Sequence, residues 1–149
     1  MNNLKLLGIG LAKYADEHDK AFPPDLQTLY SRYVTDTEFY VCPSSGEKKA
    51  KDVAPTDYAT GKVADIPAMN MSYCYIVGLK STDPPEYILA FDEETNHRGD
   101  GINVLYIGQN VIWRTDIKAV HKQLEEQEQE LKAQGREMRI IRPGESDKK

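Results

Sequence analysis

Long apolar runs, clustered basic residues and catalytic signature motifs are all lacking in this chain of 149 residues. No apolar run approaches the roughly 20 residues of a membrane-spanning helix, and no basic segment precedes an apolar one as in a secretory signal peptide. The net charge of −5 argues against nucleic acid as a partner, because nucleic acid attracts clustered Lys and Arg. Motifs of serine hydrolases, zinc proteases and phosphate-binding loops are missing too, so the sequence predicts a protein that is not an enzyme.

Cysteine is also scarce, since the chain contains only Cys42 and Cys74. A disulfide between them would close a loop of about 33 residues and stabilise the fold by roughly 3–4 kcal/mol in the chain-entropy model. Two buried thiols fit the sequence equally well. Neither cysteine belongs to a CxxC motif or stands beside a histidine in the sequence, which argues against metal or redox chemistry at either one.

The residues that are present have a globular composition, with 40% apolar and 29% charged residues. A chain of this length is expected to bury a single core. We assign residues 1–115 to the globular domain and residues 116–149 to a C-terminal helix and loose tail.

An apolar stripe at helical spacing opens the chain and ends before Pro23 and Pro24, which cannot continue a helix. The stripe consists of Leu4, Leu7, Leu11, Tyr14, Ala15 and His18. It begins almost at the first residue and has no clear cap, which indicates the lower portion of a longer helix. Gly8 and Gly10 each cost this helix about 1 kcal/mol relative to Ala, so packing has to hold it.

Short segments rich in aromatic and β-branched residues predict strands further along the chain. These segments are residues 72–77, 87–92, 102–107 and 111–114. Short turns between them imply antiparallel order, because parallel strands need long crossovers. Residues 44–70 lack periodicity and predict a surface loop. The predicted fold class is α+β, with one long N-terminal helix packed on a small antiparallel sheet and a charged C-terminal helix.

The charged C-terminal helix is predicted to run from a cap at Asp116 to about Gln134, with Gly135 ending it. Its apolar stripe is sparse and is interrupted at Gln127. This pattern favours a solvated helix docked by its first turns over a coiled coil. The chain from Arg142 onward is predicted to be loose.

The acidic segment 92–101 is the main candidate for a binding site. Asp92, Glu94 and Asp100 are candidate ligands for Ca²⁺, a cation that takes six to eight oxygen ligands. The alternative is a solvated turn in which Asp and Gly serve the hairpin geometry. A further hypothesis adds His97 to these carboxylates as a Zn²⁺- or Mn²⁺-dependent hydrolase, although His97 is predicted to bond nearby backbone instead.

Several segments resemble a known family, and they do so in the family's order along the chain. They are residues 1–29, Tyr40-Val-Cys-Pro-Ser44, Met71-Ser-Tyr-Cys-Tyr-Ile76 and His97-Arg-Gly-Asp-Gly-Ile-Asn-Val-Leu-Tyr-Ile-Gly108. They are similar to type II secretion pseudopilins and type IV pilin-like proteins, which carry a prepilin-type N terminus that is cleaved and methylated. The last segment resembles the family's signature of a histidine, nine residues and Asp-Gly. Ile107 stands here where the signature has Asp, and the following turn is one residue longer than usual.

The resemblance implies a non-enzymatic structural subunit of a type II secretion pseudopilus or a type IV pilus-like filament. Its partners would be other pilin or pseudopilin subunits and, through a missing N-terminal apolar half-helix, the inner membrane. The globular part would lie in the cell envelope, on the periplasmic or extracellular side, where a Cys42–Cys74 disulfide is as compatible with the sequence as two thiols. Major pseudopilins also carry a calcium site in the sheet region. The alternative function is a secreted carbohydrate- or protein-binding module that uses the 44–70 loop and exposed tyrosines.

Overall fold

The computed structural model describes residues 2–29, 33, 40, 42 and 72–143. Within these ranges the regular elements are α1 (Asn2–Glu17), β1 (Tyr73–Val77), β2 (Ile88–Asp92), β3 (Ile102–Tyr106), β4 (Val111–Arg114), α2 (Ile117–Ala133) and β5 (Arg139–Ile141). Short 3-10 helices cover Gln27–Leu29 and Glu94–His97. The predicted α+β class and the long N-terminal helix are confirmed. The predicted loop 44–70 lies outside the described residues.

The described strands form one antiparallel sheet in the order β4-β3-β2-β1-β5. The four predicted strands are confirmed as β1 to β4. Every residue of β2 and β3 is buried, so both faces at the centre of the sheet are covered. Because both faces are buried, these segments are mostly apolar and lack the alternation of polar and apolar residues that a strand with one solvated face shows.

Helix α1 packs on the sheet through the predicted stripe. Leu4, Leu7, Leu11 and Ala15 are fully buried, whereas His18, the last residue of the stripe, is exposed. Gly8 lies where α1 approaches β3, since a Cβ atom there would stand 2.8 Å from Leu105 Cδ1. The glycine that weakens the helix therefore allows α1 to lie close to the sheet.

Helix α2 docks along its whole length, so the prediction of a solvated helix held by its first turns was wrong. Its buried residues are Val120, Leu124, Gln127 and Leu131. Gln127, which interrupts the apolar stripe, hydrogen-bonds the backbone of Ile88 in β2. The Tyr87 hydroxyl donates a hydrogen bond to the Glu130 carboxylate from the same side. Polar contacts thus replace the apolar residues that the stripe lacks.

The two ends of α2 differ in how far they match the sequence prediction. Gly135 ends the helix as predicted, with a φ of 73° and a hydrogen bond from Arg136 N to Leu131 O of 2.9 Å. Asp116 holds the N-cap position but makes no side-chain cap bond. Its carboxylate pairs with Arg114 instead, at 2.7 and 2.8 Å.

Strand β5 was not predicted. It pairs with β1 and adds the segment Arg139–Ile141 to the edge of the sheet. Residues of α2 and β5 belong to the same core as those of α1 and the sheet. Within the described ranges, neither α-helix combines the length and apolar content that crossing a membrane requires.

Candidate functional site

Asp92 is a buried carboxylate at the end of β2, where only 1% of its surface is exposed. Its Oδ2 accepts hydrogen bonds from the backbone N and the Nδ2 of Asn103 in β3, at 2.8 and 3.0 Å. Its Oδ1 is also buried and has no hydrogen-bond partner among the described residues. A buried carboxylate oxygen without a donor is costly, so this atom is a candidate acceptor for a ligand or cation.

His97 lies against Asp92 because the 3-10 helix Glu94–His97 turns the chain back after β2. Its Nε2 is 2.8 Å from Asp92 Oδ2 and 3.5 Å from the sulfur of Cys42. The prediction that His97 bonds nearby backbone was therefore wrong. The Trp113 ring packs edge-on against the imidazole, with centroids 5.0 Å apart and an interplanar angle of 87°. Gly101 leaves room for Trp113, since a Cβ atom there would lie 2.5 Å from Trp113 Cζ2.

Backbone hydrogen bonds at Ser72 connect Tyr40, two residues before Cys42, with the turn that carries His97. The N–H of Ser72 donates to the carbonyl oxygen of Tyr40 at 2.9 Å. The carbonyl of Ser72 accepts from the Asn96 side chain at 2.7 Å and from the Glu93 N–H at 3.3 Å. Ser72 thereby ties the segment carrying Cys42 to the turn that carries His97.

Cys42 Sγ, Asp92 and His97 Nε2 form a compact group, which we name the Cys42–Asp92–His97 cluster. One ligand atom of each residue lies within 4.8 Å of the other two. Sequence analysis placed Asp92 and His97 in one segment but missed Cys42, which is 55 residues away from His97. No short-range spacing signals this contact, because the fold alone brings the two residues together.

The cluster does not have the arrangement of a Cys-His-Asp nucleophilic triad. In such a triad one imidazole nitrogen faces the nucleophile and the other faces the carboxylate. Here Nε2 faces both the Cys42 sulfur and the Asp92 carboxylate. Proton relay from a thiol through the ring to the acid is therefore not supported by this geometry.

Tyr73 is the neighbouring buried phenol, and its position pairs it with Asp92 across β1 and β2. Burial raises the pKa of Tyr73, and the nearby Cys42 and Asp92 raise it further. The phenol therefore stays protonated at neutral pH and adds no negative charge beside the cluster.

The other predicted calcium ligands lie in different contacts. The carboxylate of Glu94 pairs with His121 on α2, at 2.5 Å between Oε1 and Nε2. Asp100 is exposed. Among the described residues, the group able to share one ion combines Asp92 with Cys42 and His97 rather than with Glu94 and Asp100. Calcium binding stays a prediction.

Cys42 and Cys74 are both thiols, so the structure contains no disulfide between them. The sulfur of Cys74 lies 3.5 Å from Glu93 Oε2 and 3.9 Å from a guanidinium nitrogen of Arg142. The two sulfurs therefore face different partners, one an imidazole and the other an ion pair.

A cavity of 410 Å³ adjoins the cluster. Its lining residues are Asn96, His97, Arg98, Asp100 and Trp113. The cavity opens to solvent beside His97. The Trp113 ring and the polar side chains of Asn96, Arg98 and Asp100 form the rest of its lining.

A second feature lies on the outer side of α1, where Leu6 and Ile9 are 39% and 44% exposed. They stand three residues apart and therefore share one side of the helix. Ile112 and Trp113 on β4, at one edge of the sheet, are exposed to a similar extent. Leu6 and Ile9 form one apolar pair and favour an interaction surface, whereas Ile112 and Trp113 are consecutive strand residues and point to opposite faces of the sheet.

No protein-family model, curated protein or solved structure matches this chain.

Proposed function

We propose that this protein is a non-enzymatic structural subunit of a type II secretion pseudopilus or a type IV pilus-like filament. The single observation that carries the proposal is that α1 has apolar side chains on two sides. Leu4, Leu7 and Leu11 are buried against the sheet, whereas Leu6 and Ile9 remain exposed. A helix that serves only its own domain needs one apolar stripe, so the second pair favours contact with another helix.

The proposed occupant of this second surface is the N-terminal helix of a neighbouring subunit in the filament core. The coarse architecture supports the proposal, since a long N-terminal helix lies on a small antiparallel sheet. The ordered sequence segments that resemble pilin-like proteins support it as well. The subunit would be anchored in the inner membrane before assembly, with its globular part in the periplasm or outside the cell.

Filament assembly in the cells that produce the protein tests this function. Leu6→Asp and Ile9→Asp place a charge in the proposed contact, and we expect each to abolish filaments visible by immunoelectron microscopy. Lys118→Asp is the control, because Lys118 is exposed on α2 and not on the side of α1 that carries Leu6 and Ile9. Filaments that form normally with both apolar positions charged, while all three variants fold, would overturn the proposal.

A second candidate, a secreted carbohydrate- or protein-binding module, is favoured by the half-exposed Trp113 at the 410 Å³ cavity. Exposed indole rings commonly stack on apolar faces of ligands. The exposed tyrosines expected for this function are not found among the described residues, where every tyrosine is buried or half-buried. Glycan-array binding by the isolated chain that Trp113→Ala removes would favour this candidate over the filament subunit.

A further inference from the structure

We propose that the Cys42–Asp92–His97 cluster is a Zn²⁺ site, in which the Cys42 sulfur, His97 Nε2 and the Asp92 carboxylate are the protein ligands. The proposal does not depend on the filament function. It rests on the mutual distances of three donor atoms, on their burial and on the unsatisfied oxygen of Asp92.

The distance between sulfur and nitrogen already matches a tetrahedral zinc centre. Zn–S and Zn–N bonds of about 2.3 and 2.0–2.1 Å at a tetrahedral angle separate the two ligand atoms by about 3.5–3.6 Å. Cys42 Sγ and His97 Nε2 are 3.5 Å apart. The separation of these two atoms therefore fits a zinc ion that both of them bind.

The carboxylate needs only a small adjustment. Asp92 Oδ2 lies 2.8 Å from His97 Nε2, which is a hydrogen-bond distance. Ligand oxygen and nitrogen atoms around zinc are separated by about 3.3–3.4 Å, so the pair has to open by roughly half an ångström. Oδ1 of the same carboxylate is buried without a hydrogen-bond donor among the described residues, so it has lone pairs available for the ion.

Neighbouring residues hold the ligands in the way that metal sites require. Asn103 donates twice to Asp92 Oδ2 and so fixes the carboxylate plane. Trp113 fixes the imidazole by its edge-on contact. Hydrogen-bonding partners such as Asn103 contribute about 10–100-fold to metal affinity.

The types of ligand in the cluster select zinc over calcium, for which the sequence offered Asp92, Glu94 and Asp100 as candidate ligands. Calcium takes oxygen ligands only, whereas thiolate, imidazole and carboxylate together suit zinc. Three protein ligands leave a fourth position for water in a tetrahedral centre, and of the three ligands His97 lines the cavity that opens to solvent. Zinc displaces the Cys42 thiol proton into solvent, and His97 binds through Nε2 while its ring proton resides on Nδ1.

Metal titration of the purified 149-residue chain tests the site. After chelator treatment, we expect one Zn²⁺ to bind per chain by isothermal titration calorimetry, with release of protons. Co²⁺ in place of Zn²⁺ should give the sulfur-to-cobalt charge-transfer band of a thiolate ligand. Cys42→Ser should remove that band and lower zinc affinity by at least about 100-fold, beyond the range of an orienting partner.

The chain offers a matched control in its other buried cysteine. Cys74→Ser should leave both the cobalt band and the zinc affinity unchanged, because Cys74 lies outside the cluster. His97→Gln provides a second ligand variant, and circular dichroism establishes that each variant folds. Absence of zinc binding by the wild-type chain, a cobalt spectrum without a thiolate band, or zinc affinity that survives both ligand substitutions would overturn the proposal. Binding of calcium alone would do so too, since it would indicate oxygen ligands.

Discussion

The side-chain amide of Gln127 and the backbone of Ile88 form a closed pair of hydrogen bonds. Ile88 N donates to Gln127 Oε1 at 2.8 Å, and Gln127 Nε2 donates to Ile88 O at 3.0 Å. The pairing of β1 with β2 covers Ala90–Asp92, and Ile88 lies beyond it, next to an irregularity in the pairing with β3. The glutamine therefore satisfies backbone groups of β2 as a neighbouring strand would, and it fixes α2 on the sheet.

Gln127→Leu is expected to lower the free energy of unfolding by roughly 2–4 kcal/mol, because it leaves a buried N–H and a buried C=O without partners. Urea denaturation measures the change. Gln123→Leu is the control, since Gln123 bonds one carbonyl, that of Glu86, in an exposed position on the same helix. It should cost less than about 0.5 kcal/mol. Equal losses for the two variants would contradict the role assigned to Gln127.

Gly78→Ala is expected to be far more destabilising than Gly135→Ala. Both glycines have positive φ, at 104° and 73°, so both substitutions carry backbone strain. A Cβ atom at Gly78 would also lie 2.3 Å from the backbone oxygen of Glu137, whereas nothing lies within 4 Å at Gly135. We expect Gly78→Ala to cost at least about 2 kcal/mol more in thermal or urea unfolding. Equal free energies of unfolding for the two variants would contradict the close contact between Gly78 and the backbone of Glu137.

Gly101→Ala is expected to displace Trp113, the single tryptophan of the chain, because the new methyl group would overlap its ring. The emission maximum of tryptophan fluorescence should shift, and the shift reports the loss of contact with His97. Gly99→Ala strains the backbone, with a φ of 80°, but meets no neighbouring atom. It should leave the emission unchanged. An identical spectrum for both variants would contradict the packing of Trp113 over Gly101.

The ion pair between Asp83 and Arg136 predicts a loss of stability in acid. Burial alone would raise the pKa of Asp83, but hydrogen bonds from Arg136 and from the backbone of Lys80 outweigh it and leave the pKa below its usual value. A carboxyl with a lowered pKa in the folded state stabilises the fold above the unfolded-state pKa of about 3.9. This contribution is lost as the pH falls through the folded-state pKa.

Asp83→Asn should therefore destabilise the protein at pH 7, on the order of 1 kcal/mol after solvent screening, and the difference from wild type should shrink below about pH 4. Urea unfolding across an acid pH series measures both effects. Asp16→Asn is the control, because it removes only an exposed pair with Lys20. A difference at Asp83 that is independent of pH would contradict the ion-pair explanation.

The parts of the fold that follow from local sequence were predicted well. Aromatic and β-branched residues marked β1 to β4, and Gly135 marked where α2 ends, whereas α1 ends at Glu17, before Pro23. The docking of α2 was predicted wrongly, because periodicity counts Gln127 as an interruption, whereas its amide has a backbone partner in β2. Strand β5 was missed because three residues carry too little pattern to detect.

The candidate site was only partly accessible to sequence analysis. Asp92 and His97 stand in one segment, and their polarity drew attention to it. Nothing in the sequence indicated that Cys42 joins them, since Cys42 is 55 residues from His97 along the chain. The segment 92–101 alone therefore did not show that a cysteine sulfur lies beside Asp92 and His97.

The nucleotide sequence immediately upstream of Met1 in the source genome should decide whether the chain is a filament subunit. The filament proposal predicts codons for a short basic leader, a cleavage site followed by Phe-Thr-Leu-Ile-Glu, and an apolar stretch of about 20 residues, which suffices to span a bilayer. That result would make Leu6 and Ile9 part of a continuous apolar surface shared between subunits. An in-frame stop codon directly before Met1, or an ordinary secretory signal in place of the apolar half-helix, would contradict the proposal.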